Sequence, residues 1–283
     1  MPSVLHTTRI DRNRSDAVAA LVGQRYFPVT RDVAEAAVDS VWAGRFAYIV
    51  SGAQGAGKDV VAERVASEQV ALGTPFAQVR MSDQIRAEAH QMLDVLRASN
   101  DRAQAETTVA AELDLPLSMA ADCVALIWDR AMRDPDFNPW TRDDEMRQLL
   151  QFLGHEARCD THDGYWTEAC YSVVAQHLAD GSGVYLADGR FPSEVHHGAR
   201  CGLYTVRLHV PEATRVDRIF GRDGIRPSTT TLRHPGEVVL DEDDNWRFFD
   251  AVIDNSVDDG GVSTAALLRD LLHGHSSRLR SES

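Results

Sequence analysis

The chain is short of positive charge: 29 Lys and Arg stand against 43 Asp and Glu, a formal net charge of −14. A nucleic-acid surface needs clustered cations, so that class of partner is not expected, and any polyanionic ligand must be met by a local basic pocket. Hydrophobic runs are short as well. None approaches the roughly 18 apolar residues that mark a membrane span, so no membrane partner is expected. The first fifteen residues lack the apolar stretch of a secretory leader and read as a frayed end. Cysteine is sparse: Cys123, Cys159, Cys170 and Cys201 show no CxxC spacing, and the expectation is reduced thiols in a cytoplasm. His155, Cys159 and His162 lie close together but lack a fourth ligand at zinc-site spacing, so they read as surface residues. There is no internal repeat and no low-complexity tract.

What is present is ordinary for a globular chain, with 43% hydrophobic and 25% charged residues in 283 positions. That length suits one large α/β domain or two smaller ones. The most informative stretch is 46–61. Ala47-Tyr48-Ile49-Val50 reads as a buried strand, and Asp59 to Val65 has the apolar period of a helix. Between them, Gly52-Ala53-Gln54-Gly55-Ala56-Gly57-Lys58 has GxxxxGK spacing. Glycines there let backbone N–H groups, Gly55 to Val60, turn toward a phosphate, and the new helix aims its positive end at the same anion. Lys58 adds a mobile ammonium. The residue that would hold Mg²⁺ with a hydroxyl is here Asp59. The plain alternative is a glycine-rich strand–helix turn with no ligand.

Along the chain, residues 15–24 and 30–43 read as helices of an N-terminal extension (1–45), with Thr30 as N-cap. This extension either packs on the core or forms an oligomer contact such as a homodimer. Strand 76–81 leads to a helix 83–97 capped by Ser82, which puts Ser82 and Arg86 at the open sheet edge. Helices follow over 100–132, broken near 114–116, and over 143–156, where Met146, Leu149, Leu150 and Leu153 form one face. Arg147 and Gln151 lie together off that face as i, i+4 neighbours. Trp166 faces inward on helix 161–179. Strand 183–187 ends in Asp188-Gly189-Arg190, where an acid beside a phosphate turn manages Mg²⁺ and Arg190 reaches the same phosphates; a plain turn also favours Asp and Gly. Strand 203–210 precedes a helix 211–222 bearing Arg215, Arg218 and Arg222. With the polar segment to residue 240 this suits an arginine-bearing lid, or else a solvated basic helix. Strand 249–253 closes on Asp254-Asn255, helix 264–272 follows, and 274–283 reads as a disordered tail.

Taken in order, these motifs resemble the deoxynucleoside monophosphate kinases of bacteriophages, distant relatives of animal-type phosphomevalonate kinases. The resemblance runs over about Tyr48 to Leu272. It rests on Asp59 after Lys58, Arg147-x-Leu149-Leu150-Gln151 with Gly154, Asp163 with Trp166, Asp188-x-Arg190, His234-x-x-Glu237 and Val252-Ile253-Asp254-Asn255. Residues 1–45 and 211–233 are longer than in compact members. The resemblance implies a three-layer α/β/α P-loop kinase domain (46–273) with a mostly parallel sheet, a helical substrate-binding part (about 82–180) and a lid (about 211–240). It implies ATP and Mg²⁺ as cofactors, a deoxynucleoside monophosphate as acceptor, and the cytoplasm (the host's, if phage-encoded) as location. In this reading residues 52–60 and Lys58 hold the donor phosphates, Asp59 and Asp188 orient Mg²⁺, and Asn255 contacts the ATP base. Ser82, Arg86, Arg147, Gln151, Trp166, Asp188, Arg190 and Glu237 are substrate-binding candidates, and Lys58, Arg190, Arg218 and Arg222 act on the transferring group. The rivals are a kinase for another phosphorylated small molecule, phosphomevalonate-like or a coenzyme precursor, and a nucleotide-gated regulatory ATPase.

Overall fold

The structure, a computed structural model, describes residues 2–141, 144–154, 164–233, 235–241 and 243–282. The chain divides into two compact units, residues 1–80 with 170–283, and residues 81–169.

The first unit is α/β, built on a six-stranded and mostly parallel sheet. Its strands are β1 (Ser3–Thr7), β2 (Ala47–Ser51), β3 (Phe76–Val79), β4 (Gly183–Leu186), β5 (Tyr204–His209) and β6 (Ala251–Asp254). They lie in the order β1-β6-β5-β2-β4-β3. Only β1 runs antiparallel to its neighbour, pairing Ser3 with Asp254 and Thr7 with Ala251. The segment read as a frayed end is thus an edge strand. β2 and β4 are buried along their whole length, as expected of parallel strands covered on both faces. Ile49 lies between Leu186 of β4 and Thr205 of β5. After β2 the chain moves toward the β3 side, and after β4 it crosses to the β5 side. The strand order therefore reverses beside β2, the position at which ligands bind in open α/β sheets, outside the carboxyl ends of the strands.

Helices α1 (Arg14–Val22), α2 (Arg31–Trp42) and α3 (Lys58–Ala71) precede β3. Asn13 caps α1, its side chain accepting from the N–H of Ser15 and Asp16, whereas Thr30 at the start of α2 makes no side-chain cap bond. Tyr48, Val50, Tyr204, Val206, Leu208 and Ile253 face Val61, Val65, Ala265, Leu268 and Leu272 on one side of the sheet. Val252 faces Val195, Leu240 and Phe249 on the other. Helices on both faces make the unit compatible with a three-layer α/β/α arrangement.

The second unit is helical: α4 (Met81–Ala98), α5 (Arg102–Glu112), α6 (Leu117–Arg133), α7 (Asp144–Gly154) and the start of α8 (Tyr165–Ala179). Its core gathers Met92, Leu93, Leu96, Val124, Ile127, Phe137, Met146, Leu149 and Leu153. The break expected near 114–116 is present between α5 and α6, where Asp114 takes φ 48°.

The remainder of the first unit holds α9 (Pro192–Arg200), α10 (Glu212–Asp223), the four-residue helices α11 (Thr229–Leu232) and α12 (Pro235–Val238), two 3-10 turns over 239–241 and 243–248, and α13 (Val262–Glu282). The residues read as a disordered tail continue α13, with His275, Ser276 and Leu279 buried.

Candidate functional site

The turn after β2 is set by two glycines. Gly55 and Gly57 take φ of 83° and 84°, the left-handed region that favours glycine. Space is short at both: a Cβ on Gly55 would lie 2.8 Å from the Arg215 carbonyl oxygen, too close to fit, and one on Gly57 would lie 3.0 Å from Asn255 Nδ2, which would have to give way. Helix α3 starts at Lys58, so its first N–H groups, which have no partner inside the helix, and its positive dipole end face out at the sheet's carboxyl edge. Burial lowers the Lys58 ammonium pKa; Asp59, Glu237 and Asp188 oppose that shift, and Arg190 adds to it. Those four charges therefore share the surroundings of Lys58.

Distant segments fix the turn. Asn255, buried just past β6, donates from Nδ2 to the Ala56 carbonyl at 2.8 Å. Its Oδ1 accepts from the Thr264 hydroxyl at 2.6 Å. The amide expected to contact a nucleotide base thus bridges the turn, at Ala56, and Thr264 at the start of α13. Arg218, expected to act on the transferring group, donates from Nη2 to the carbonyls of Asn255 at 2.9 Å and Val257 at 3.1 Å, tying α10 to the loop after β6. Arg222 is exposed and forms two bonds with Asp223, at 2.6 and 2.7 Å, while staying within electrostatic reach of Asp59. The arginine of α10 that meets the turn is Arg215, buried, with Nη1 donating to the Gln54 carbonyl at 3.3 Å. Sequence reasoning left it out of the site. Its signal was faint: Arg215 lies one helical turn before Arg218, on the face that also carries buried Ile219.

The segment after β4 forms the other wall. Ser51 donates to the Gly189 carbonyl at 2.6 Å and accepts from buried Arg207 at 3.0 Å. Glu194, in the first turn of α9, accepts from the N–H groups of Arg190 at 2.7 Å and Phe191 at 3.1 Å. Burial raises its carboxyl to about 7, against the pull of those two N–H bonds and with the help of the nearby Asp188 charge. Arg190 is therefore held by its backbone, and its Nη1 lies 3.5 Å from Glu237 Oε1. The other oxygen of Glu237 accepts from the Gln54 N–H at 2.5 Å. Glu237, expected on the substrate, is thus engaged with the turn itself. His234, its companion in the signature, lies outside the described residues, as do His155, Cys159, His162 and Asp163.

The candidates at 82–166 belong to the second unit. The α4 helix already begins at Met81, so Ser82 sits in its first turn and does not cap it. Arg86 donates from Nη1 to the Pro139 carbonyl and stacks 4.9 Å from the Trp140 ring centroid, which commits it to the loop after α6. Arg147 and Gln151 are exposed, on the polar side of α7 as the spacing implied. Trp166 is buried and donates to the Leu153 carbonyl at 3.3 Å, a core residue and not a base-stacking one.

Among the described residues no group of three or more His, Cys, Asp or Glu side chains is arranged to hold a metal ion. Asp59 and Asp188 supply two carboxylates near Lys58, which suits an ion that keeps most of its waters, as Mg²⁺ does. Outward N–H groups, an ammonium and a guanidinium around one turn can bind a phosphate chain. No protein-family model and no curated protein matches the sequence.

Proposed function

We propose that the protein is a P-loop phosphotransferase that moves the γ-phosphoryl group of ATP to a deoxynucleoside monophosphate, giving the diphosphate and ADP. One observation carries the reading: a left-handed glycine turn at the sheet's strand-order reversal opens into α3 at Lys58, with Arg190 and three carboxylates around that ammonium. The nucleotide acceptor is selected by the motif resemblance.

Each residue has a role that follows from its chemistry. The N–H groups of 55 and 57–60, with Lys58, hold the donor phosphates, and Arg190, fixed through Glu194, neutralises charge on the group in transit. Asp59 and Asp188 would hold Mg²⁺ through its waters, and the ion would supply charge neutralisation on the phosphate oxygens. Arg215 and Asn255 act one step back, by holding the carbonyls of Gln54 and Ala56 and so the shape of the turn, while the Ala56 N–H is taken by the Ala53 carbonyl at 2.9 Å and is not a phosphate donor. No general base is required, because the acceptor is already an anionic oxygen.

The test is ADP release measured across a panel of deoxynucleoside monophosphates, with and without acceptor. Turnover that depends on a nucleotide acceptor is expected, and Lys58→Ala should lower it by roughly a thousandfold or more, the scale of losing a principal electrostatic group. Slow hydrolysis indifferent to acceptor, or full activity in Lys58→Ala, overturns the reading.

A further inference from the structure

The Glu237 carboxylate sits where an anion would be expected. One oxygen accepts from the Gln54 N–H of the glycine turn and the other faces Arg190. The same charge acts on Lys58. Its side chain is 13% exposed, so the three groups meet it largely out of water. We propose that Glu237 is an intramolecular stand-in for a phosphate, an autoinhibitory contact that a phosphate chain must displace before it occupies the turn. This inference rests on the phosphate-site reading above.

The local architecture suits such an exchange. Glu237 lies in α12, one turn of helix that runs directly into the 3-10 turn over 239–241. Buried Leu232 and Leu240 anchor the segment on either side, so the carboxylate can leave without unseating its anchors. A phosphate chain on the neighbouring N–H groups would bring a second anion to the guanidinium of Arg190 and the ammonium of Lys58, and two anions beside one ammonium repel. The contact therefore favours an empty turn and raises the ligand concentration needed to fill it. The rival role for a carboxylate here is to help hold a divalent cation on the bound phosphates, and the two roles separate when the cation is withheld.

The experiment is calorimetric titration of the full chain with tripolyphosphate and with ADP, both metal-free, and then with Mg²⁺ present, comparing the unaltered protein with Glu237→Gln. Glu237→Gln keeps the shape and removes the charge. The proposal expects metal-free tripolyphosphate to bind the variant about tenfold more tightly, the scale of one charge-assisted hydrogen bond no longer in competition. It expects Mg²⁺-loaded binding not to weaken. Equal metal-free affinities, or weakening confined to the Mg²⁺ form, overturns it. In the unaltered protein, tripolyphosphate should also speed amide hydrogen exchange at 237–240, and unchanged exchange there overturns it without reliance on the variant. If neither protein binds either probe, the phosphate-site reading fails first and this inference falls with it.

Discussion

At the scale of single residues, the glycine turn shows how a local motif depends on distant side chains. Gly52 to Lys58 announces itself because its spacing is contained in seven consecutive residues. Asp188 and Arg190 are legible for the same reason, as the turn that closes a hydrophobic strand. Asn255, Arg215 and Glu237 reach the turn from 199, 161 and 183 residues away, and no spacing rule reports such a contact. Their types suggest other roles: an Asn near a nucleotide reads as a base contact, an Arg on a basic helix as part of a lid, and Glu237 enters only through the His234-x-x-Glu237 resemblance. The consequence is testable at Asn255. In Asn255→Ala the Ala56 carbonyl and the Thr264 hydroxyl both lose their partner. Loss of a buried hydrogen-bonding group of this kind costs about 1–3 kcal/mol. Because the bond aligns the turn, the expected result is a rise of roughly tenfold in the Michaelis constant for ATP, with a smaller rise for the acceptor. Steady-state kinetics with each substrate varied in turn checks this, and equal effects on both constants would assign Asn255 a global structural part only.

At the scale of elements, the buried strands and the β3 edge were legible and the β1 edge was not. β2 and β4 are nearly continuous apolar runs, the pattern of a parallel strand covered on both faces, and β5 alternates Tyr, Val and Leu with Thr, Arg and His. β1 reads Ser-Val-Leu-His-Thr, and at the sheet edge only its pairing with β6 defines it. The strand is secured just beyond its end by Arg12, which makes a two-pronged bond to buried Asp250 at 2.8 and 2.6 Å. The carboxyl end of α13 misled for a related reason. Gly274 with Ser276 and Ser277 looks like a helix stop, but tertiary packing overrides weak propensity. His275 lies 5.0 Å from the Tyr204 ring, and Leu279 is buried. Truncation after His273 should therefore destabilise the first unit and not merely trim a tail. Burial of Leu279 and part of His275 is worth about 2–4 kcal/mol, which corresponds to a fall of roughly 5–10 °C in Tm for a unit of this size. Near-ultraviolet circular dichroism during a thermal scan reads this directly, and an unchanged Tm would return 274–282 to the status of a tail.

At the scale of the whole chain, two titrating groups, half-buried Glu194 and buried His275, act in opposite directions over the same pH range. Glu194 is raised from 4.5 to about 7, chiefly by burial. Between those values the folded state binds a proton that the unfolded state has released, so stability falls as pH rises through the window. His275 is lowered from 6.5 to about 4, again chiefly by burial, with Arg12 and Arg278 adding to it and Asp250 opposing. Between those values the unfolded state binds the extra proton, so stability falls as pH drops. Each shift spans about 2.5 units, or about 3 kcal/mol at full development, and the two largely cancel between pH 4.5 and 6.5. The unaltered protein should therefore show a nearly level Tm over that interval, despite its surplus of carboxylates. Each single variant should unmask the other group. Glu194→Gln leaves His275 alone, so Tm should fall steadily as pH is taken from 7 to 4.5. His275→Gln leaves Glu194 alone, so Tm should rise over the same change. Thermal scans at half-unit pH steps on the three proteins decide the matter: parallel profiles would mean that neither group titrates across folding as its burial requires. Crossing profiles would show that the level response of the unaltered chain is a balance between the cap of α9 and the carboxyl-terminal end of α13.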